Sequence, residues 1–435
     1  MTSKRAAALN ARAHELIPGG GHTYAKGDDQ YPADAPPFLA RGAGCHVWDL
    51  DDHEYIEYGA GLRAVTLGHA YPSVLEAARL ELERGMNFVR PSPLEVECAA
   101  ALLAWVPGAE MCKFAKNGSD VTTAAVKLAR AFTGRDLVAI CADQPFFSTD
   151  DWFIGTTAMA AGIPQADRDL TVGFKYNDLA SVDALFERYP GKVACLVLEA
   201  ATAIEPAPGF LEGLKARCDR AGALLVFDEM ITGFRWPGGS AQAHYGVRAD
   251  LSTFGKGLAN GFPVSALVGR RDVMELGGLR HDKQRVFLLS TTHGAETVGL
   301  AAAMATICVY REHPVIDTLH AMGERLRAGV QAAAQAAGVA DQLQVLGRAS
   351  NLVYVTRDKD GKPSQAFRTL FMQQLIRRGI IGPSFVVNYS HQAEDIDRTI
   401  AAVQEIAPLY AKALADGPEK YTDGRPVKPV FRTFN

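Results

Sequence analysis

Short apolar runs in the centre of the chain, MCKFAK, LVAIC, VACLVLEA, ALLVFDE and LSTFGK, alternate with stretches of helical period such as TTAAVKLARAF and FLEGLKARCDRAG. Runs this apolar fit strands buried on both faces, and their alternation with helices predicts a mostly parallel, doubly wound α/β sheet. Ahead of this block, MTSKRAAALNARAHEL predicts a short amphipathic helix stopped at Pro18, and GCHVWDLDDHEYIEY a hairpin around an aspartate-rich turn. SVLEAARLELERG and PSPLEVECAAALLAWVP predict two helices, the second begun by a proline-serine signal. After His313, long helices flank a few strand-like pieces (QVLGRASNLVYVTR, GIIGPSFVVNYS), an α+β pattern. The expected organisation is a large domain over 66–310 and a smaller α+β domain built from 1–65 and 311–435. No repeat or Pro/Ser linker marks an independent module. The closing EKYTDGRPVKPVFRTFN is expected to lie on its own domain or on a partner subunit.

Composition narrows the function. Of 435 residues 48% are hydrophobic and 22% charged, so a sizeable core needs no disulfide staples. Lys and Arg number 45 against 49 Asp and Glu, a net charge of -4, which gives no bulk attraction to nucleic acid or a membrane surface. A small-molecule partner is expected. Seven scattered cysteines without close pairs are expected to be free thiols, and His22, His46, His53 and His69 lack metal-ligand spacing. The most apolar stretch, Gly299 to Tyr310, falls well short of the roughly 20 residues a bilayer requires. With no signal-peptide pattern at the start, the expected location is the cytoplasm.

Three segments carry candidate chemistry. In ALLVFDEMITGFR a buried strand delivers Asp228 to its carboxyl end, where open α/β sheets bind ligands. A buried carboxylate there needs a cation or donor, such as a protonated pyridine nitrogen, or else serves as a turn or cap. In STFGKGLANGFPVSALVG, Lys256 sits between two glycines that let backbone approach a ligand. A desolvated lysine forms Schiff bases with carbonyls; the plain alternative is a solvated turn. In KFAKNGSDVTTAAVKLARAF, Asn117, Gly118 and Ser119 open a helix whose free N–H groups suit a phosphate, or Ser119 and Asp120 are ordinary caps.

Taken together, NGSDVTTAAVKLARAFTGRD, LLVFDEMITGFRW and STFGKGLANGFPVSALVG closely resemble the class III pyridoxal-phosphate-dependent aminotransferases, in particular the glutamate-1-semialdehyde aminomutase-like branch. The resemblance runs strongly from Ile17 to about Tyr310 and more weakly beyond. It implies a fold-type I α/β architecture, with a seven-stranded type of large sheet, and pyridoxal 5'-phosphate as cofactor. It implies that Lys256 holds the cofactor as a Schiff base and shuttles the proton, and that Asp228 keeps the pyridine nitrogen positive. Asn117, Gly118 and Ser119 are implied at the phosphate and Glu199 near the ring face. Thr292 is implied to reach the phosphate of a neighbouring subunit, hence a homodimer with shared sites.

Departures from the family pattern bear on the substrate. Where the family has Tyr-His-Gly, QPFFSTDDW offers Phe146, Phe147 and Ser148; Phe146 keeps a ring to stack but has no polar edge. Lys26 stands where true aminomutases carry a carboxylate-clamping arginine, and a lysine lacks the bidentate fork. Arg63 replaces an aromatic residue, and with Arg90 it can meet an anionic or hydroxyl-rich substrate or pair with nearby acids. HTYAKGDDQYP, MNFVRPSPLE and GRPVKPVFR resemble a sub-branch associated with amino-sugar and surface-polysaccharide pathways. The expectation is an enzyme moving an amino group from an amino-acid donor, glutamate foremost, to a small carbonyl acceptor. An intramolecular aminomutase, and a catalytically silent binding protein of the same fold, are the alternatives. The composition of 148–162 permits a lid without requiring one. G-A-G-L-R-A at 59–64 fits a dinucleotide pattern, but Gly68 and Pro72 follow too soon for the helix that pattern must open.

Overall fold

The computed structural model of the protein describes residues 3–434. In chain order its strands are β1 (Leu39–Ala43), β2 (His46–Asp49), β3 (Glu54–Glu57), β4 (Met111–Ala115), β5 (Leu137–Cys141), β6 (Thr171–Phe174), β7 (Val193–Leu198), β8 (Leu224–Asp228), β9 (Leu251–Phe254), β10 (Ser265–Gly269), β11 (Leu343–Leu346), β12 (Val353–Thr356) and β13 (Ile380–Ile381). The chain divides into two compact units, one comprising 1–62, 66–71 and 317–435, the other 63–65 and 72–316.

In the second unit, β7, β8, β9 and β10 are buried at every position, which is why their sequences show no alternation. They belong to a seven-stranded sheet of order β4-β10-β9-β8-β7-β5-β6. β5 through β9 pair in parallel, and β10 runs antiparallel to both its neighbours. Neither β10 nor β6 stood out in the sequence, since each lies in a glycine-bearing passage. One core layer packs the helix Gly118–Thr133 through Val121, Ala125 and Leu128 against Val138, Val197 and Val226. The other packs the helix Phe210–Ala221 through Leu211, Leu214 and Cys218 against Leu196, Leu225 and Phe227. Alternate residues of the same strands thus fill opposite layers, as a doubly wound sheet requires. The helix Pro93–Trp105 begins at Ser92, whose Oγ accepts the Leu94 N–H at 3.3 Å while Glu95 accepts the Ser92 N–H at 2.8 Å.

In the first unit, Asp49 shapes the predicted hairpin: its Oδ1 accepts the N–H groups of Asp51 (2.8 Å) and His53 (3.0 Å). β1, β2 and β3 pair antiparallel, and β13 joins β3 in parallel through Ile380 and Ile56. Val47, Met372, Ile376 and Ile381 form the core beneath this sheet. Of the strand-like GIIGPSFVVNYS only Ile380–Ile381 is a strand; Phe385 makes a single bridge to Leu352, and Pro383 lacks the N–H a ladder needs. Beside the sheet, His391 is buried, stacks on Tyr58 at 4.6 Å, and accepts the Asn388 N–H at Nδ1 (3.0 Å). The C-terminal tail lies on its own unit, with Lys428 N–H donating to the Asp29 carbonyl at 2.8 Å and Arg432 paired with Asp29 at 2.6 Å. No helix among the described residues is long and apolar enough to cross a membrane.

Candidate active site

The site is assembled at the carboxyl ends of three adjacent parallel strands, β7, β8 and β9, which deliver Glu199, Asp228 and Lys256. Asp228 is 4% exposed, and its Oδ1 accepts the Met230 N–H at 2.9 Å and the Thr253 hydroxyl at 3.3 Å. Its Oδ2 accepts no hydrogen bond among the described residues. Burial pushes the Asp228 carboxyl up to about 6, and the Lys256 charge pulls it back toward ionisation. Glu229 follows, fully buried but satisfied: it accepts the Ala241 and Gln242 N–H groups at 2.9 Å each and the Thr232 hydroxyl.

Lys256 adopts a left-handed backbone, φ 41°, directly after Gly255. A Cβ on Gly255 would stand 2.6 Å from Met230 Sδ, so any side chain there would have to displace that methionine. Desolvation pushes the Lys256 ammonium down, Asp228 and Glu199 push it up, and Arg63 and Arg235 push it down again. Glu199, 5% exposed, is raised to about 8 by burial and by the Asp228 charge, against the pull of Lys256 and Arg63. Its backbone is gripped on both sides by Gln144, whose Nε2 donates to the Glu199 carbonyl and whose Oε1 accepts its N–H, each at 2.7 Å.

The third segment lies between β4 and the helix Gly118–Thr133. Asp120 Oδ2 accepts the N–H groups of Asn117 (2.9 Å) and Lys116 (3.2 Å), which shapes the entry, while Gly118 faces Met230, whose Sδ would stand 3.2 Å from an added Cβ. The Ser119 Oγ accepts the Thr149 N–H at 2.9 Å and keeps its own proton to donate. Residues 147–152 are fastened to this helix: Thr122 donates to the Phe147 carbonyl (2.8 Å), Thr123 to Asp150 (2.5 Å), and Trp152 Nε1 to Thr123 (2.8 Å). The first part of the 148–162 loop is therefore bolted down. The Phe-Phe pair divides, Phe147 joining the core while Phe146 stays 43% exposed and edge-on to Phe153 at 5.6 Å.

The structure thus brings together Lys256, Asp228, Glu199 and the Arg63 charge. Thr292 and Arg90 are exposed and stand outside this cluster. Lys26 belongs to the first unit, where it lines a cavity of about 920 Å³ with Glu57, His69 and Arg425. Sequence reasoning missed Gln144, Glu229, Thr253 and Arg235. Of these only Arg235 left a trace, as a charge inside the apolar ITGFRW.

A lysine amine, an uncommitted carboxylate oxygen beneath it, and a 16-residue helix opening on Gly118 and Ser119 fit the amine-reactive aldehyde, ring nitrogen and phosphate of pyridoxal phosphate. Comparison with known proteins agrees. Residues 28–380 match the family model described as Aminotransferase class-III. A glutamate-1-semialdehyde 2,1-aminomutase of Syntrophobacter fumaroxidans is 32% identical over 92% of this chain and 97% of its own length. The FumI protein of Sphingopyxis sp. MTA144, solved in its PLP internal aldimine form, is 29% identical with a TM-score of 0.85, covering 95% of this chain and 97% of that one. An omega-transaminase from Sphaerobacter thermophilus is 26% identical with a TM-score of 0.83, covering 94% and 98%.

Proposed function

We infer that this chain, which belongs to the class III pyridoxal-phosphate-dependent aminotransferases, takes an amino group from an amino-acid donor, L-glutamate foremost, and delivers it to a carbonyl acceptor of the keto-sugar or sugar-acid class. The observation that carries the reading is the Lys256, Asp228 and Glu199 cluster at the ends of β7 to β9. The bound cofactor supplies an electron sink for the bonds of the substrate's amine-bearing carbon. Asp228 Oδ2 is available to accept from the ring nitrogen and to favour its protonated form. With the cofactor bound, Lys256 Nζ, acted on by the charges of Asp228 and Glu199, would take the proton from the donor's α-carbon and return it on the far side of the amine nitrogen, a 1,3-transfer. The N–H groups of Gly118 and Ser119, with the Ser119 hydroxyl, would hold the phosphate, and Phe146 would offer a ring for stacking.

Lys26 in place of a clamping arginine supports transfer to an external acceptor, as does the likeness to an omega-transaminase. The 32% identical aminomutase supports the second reading, an amino shift within one molecule. A homodimer in the cytoplasm is part of the proposal: Met86, Phe88, Val89 and Phe287 expose apolar surface, and Asn87 contacts His293, the neighbour of Thr292, at 3.4 Å. The test is a half-reaction of the yellow holoenzyme with L-glutamate alone. Loss of the yellow band with one equivalent of 2-oxoglutarate released is the expected result, after which keto-sugars are screened as acceptors. Retention of the band, with a Lys256→Ala control that still binds cofactor, would remove glutamate as donor and favour the internal shift.

A further inference from the structure

In the first unit, the turn between β1 and β2 brings three unlike side chains together. Cys45, 1% exposed, lies in the turn and His46 opens β2, while Asp395, 8% exposed, stands in the first turn of the helix Ala393–Asp416. Cys45 Sγ donates to Asp395 Oδ2 at 3.3 Å, and His46 Nε2 lies 3.1 Å from Asp395 Oδ1. One ligand atom from each of the three lies within 4.8 Å of the other two. Part of this arrangement is ordinary helix capping, since Asp395 Oδ2 also accepts the Gln392 N–H at 3.0 Å. Capping does not account for the cysteine: a thiol is a weak donor, and a hydroxyl would serve a buried carboxylate better. Nor does it account for Glu54, which reaches across the hairpin from β3 to stand 2.7 Å from the other ring nitrogen of His46, Nδ1. No spacing along the chain reveals this group, because Cys45 and Asp395 are 350 residues apart.

We propose that Cys45, His46 and Asp395 form a binding site for one zinc ion, with Glu54 behind His46 as the carboxylate that orients its ring. Thiolate, imidazole and carboxylate are the donors zinc takes, and the thiolate selects against magnesium and calcium. Zinc–ligand bonds of about 2.0–2.3 Å put tetrahedral ligand atoms roughly 3.3–3.7 Å apart, so the separations of 3.1 and 3.3 Å need only a slight opening. On binding, the Cys45 S–H bond breaks and a sulfur–zinc bond forms, the proton leaving to solvent, and His46 coordinates through Nε2 as neutral imidazole. One thiolate and one carboxylate then cancel the two positive charges of the ion, as a site this buried requires. Burial and the Asp395 charge hold the thiol proton above its ordinary range, so that proton is the competitor zinc must displace. His46 is the half-buried member, which leaves a fourth position open to water. The ion ties the N-terminal hairpin to the last long helix, and so joins the two ends of the chain within one unit. The proposal is independent of the reaction carried out at Lys256.

The experiment strips untagged holoenzyme by dialysis against a chelator, titrates it with zinc chloride in competition with a chromophoric chelator, and counts the bound metal by mass spectrometry. One equivalent per chain is the expected result. The X-ray absorption spectrum of the loaded protein is expected to show one sulfur at about 2.3 Å and nitrogen or oxygen neighbours at about 2.0–2.2 Å. Asp395→Asn keeps an acceptor for the Gln392 N–H, and Cys45→Ser keeps a donor to the carboxylate; each is expected to lose the equivalent. Cys308→Ser, which removes the exposed thiol, is expected to retain it. Glu54→Gln is expected to raise the zinc Kd by about 10- to 100-fold, the usual effect of removing a carboxylate behind a ligating histidine. Zinc is also expected to raise the melting temperature of the wild type and to leave that of Asp395→Asn unmoved. Should either ligand variant not accumulate in folded form, His46→Gln, at the half-buried member, takes its place. Wild-type protein that takes up no zinc, a spectrum without sulfur, or uptake undiminished in Asp395→Asn would each overturn the proposal, the last by assigning the metal to other residues.

Discussion

Replacing Gln144 with methionine removes one side chain's two hydrogen bonds at nearly constant volume. Both bonds, 2.7 Å each, end on the backbone of Glu199, which is 5% exposed, so water cannot take over either group. A buried N–H or C=O left without a partner costs about 1–3 kcal/mol, so the pair amounts to about 2–6 kcal/mol. For a folded unit the size of 72–316, each kcal/mol lowers the melting temperature by about 2–4 °C. Even the low end is a shift of at least about 4 °C. The functional effect is separate, since Glu199 ends β7 beside Lys256 and its displacement changes the field on the amine. Thermal unfolding of the cofactor-free protein gives the first quantity, and a pH titration of the cofactor absorbance gives the second. Gln144→Glu is expected to fall between, since it can still accept the Glu199 N–H but sets a carboxylate against the carbonyl. An unchanged melting temperature together with an unchanged titration in Gln144→Met would refute the reasoning, because no buried backbone group can then have been stranded.

Two further outcomes follow from other parts of the molecule. His391 is pushed down from its usual 6.5 to about 4 by burial and by His46, with Asp395 opposing; the unfolded chain therefore takes up the proton first, and stability present above about pH 6.5 is lost as pH falls toward 4. His391→Phe, which keeps a ring against Tyr58, is expected to remove about 3 kcal/mol of that pH dependence in urea titrations, whereas an unaltered slope would assign it to other groups. Gly118→Ala presses a methyl to 3.2 Å from Met230 Sδ, a flexible neighbour that can yield. The expectation is a fold of near-native stability whose cofactor Kd, by equilibrium dialysis, rises on the order of tenfold.

The unit that carries Lys256 was largely legible because its candidate chemistry is local. Asp228, Lys256 and the Asn117 to Ser119 segment each lie within a few residues of a buried strand, so position along the strand already fixes position in the sheet. β10 was harder to see, since a strand that reverses direction inside a parallel sheet has no pattern different from a sixth apolar run. The roles of Arg235 and Gln144 were illegible for another reason, although the Arg235 charge stood out inside an apolar run. Each works through the backbone of a residue distant in sequence, Arg63 and Glu199, and a side chain that binds main chain leaves no complementary side chain to notice. The 59–64 segment shows the converse. Its glycines were read for a dinucleotide pattern, and the left-handed turn they help to build follows from contacts that composition does not encode.

The parallel pairing of β13 with β3 has a consequence for how the chain is made. Ile56 leaves the ribosome early, but its partner Ile380 is synthesised only after the whole of 72–316. At about 10 residues per second the first three strands wait on the order of half a minute with one edge of β3 open, while the segment that holds Lys256 is already complete. An open edge in a nascent chain invites pairing with another copy. The unit that carries Lys256 is thus positioned to mature first during translation. Premature termination between residues 317 and 379 would leave that unit entire and the N-terminal hairpin without its last strand.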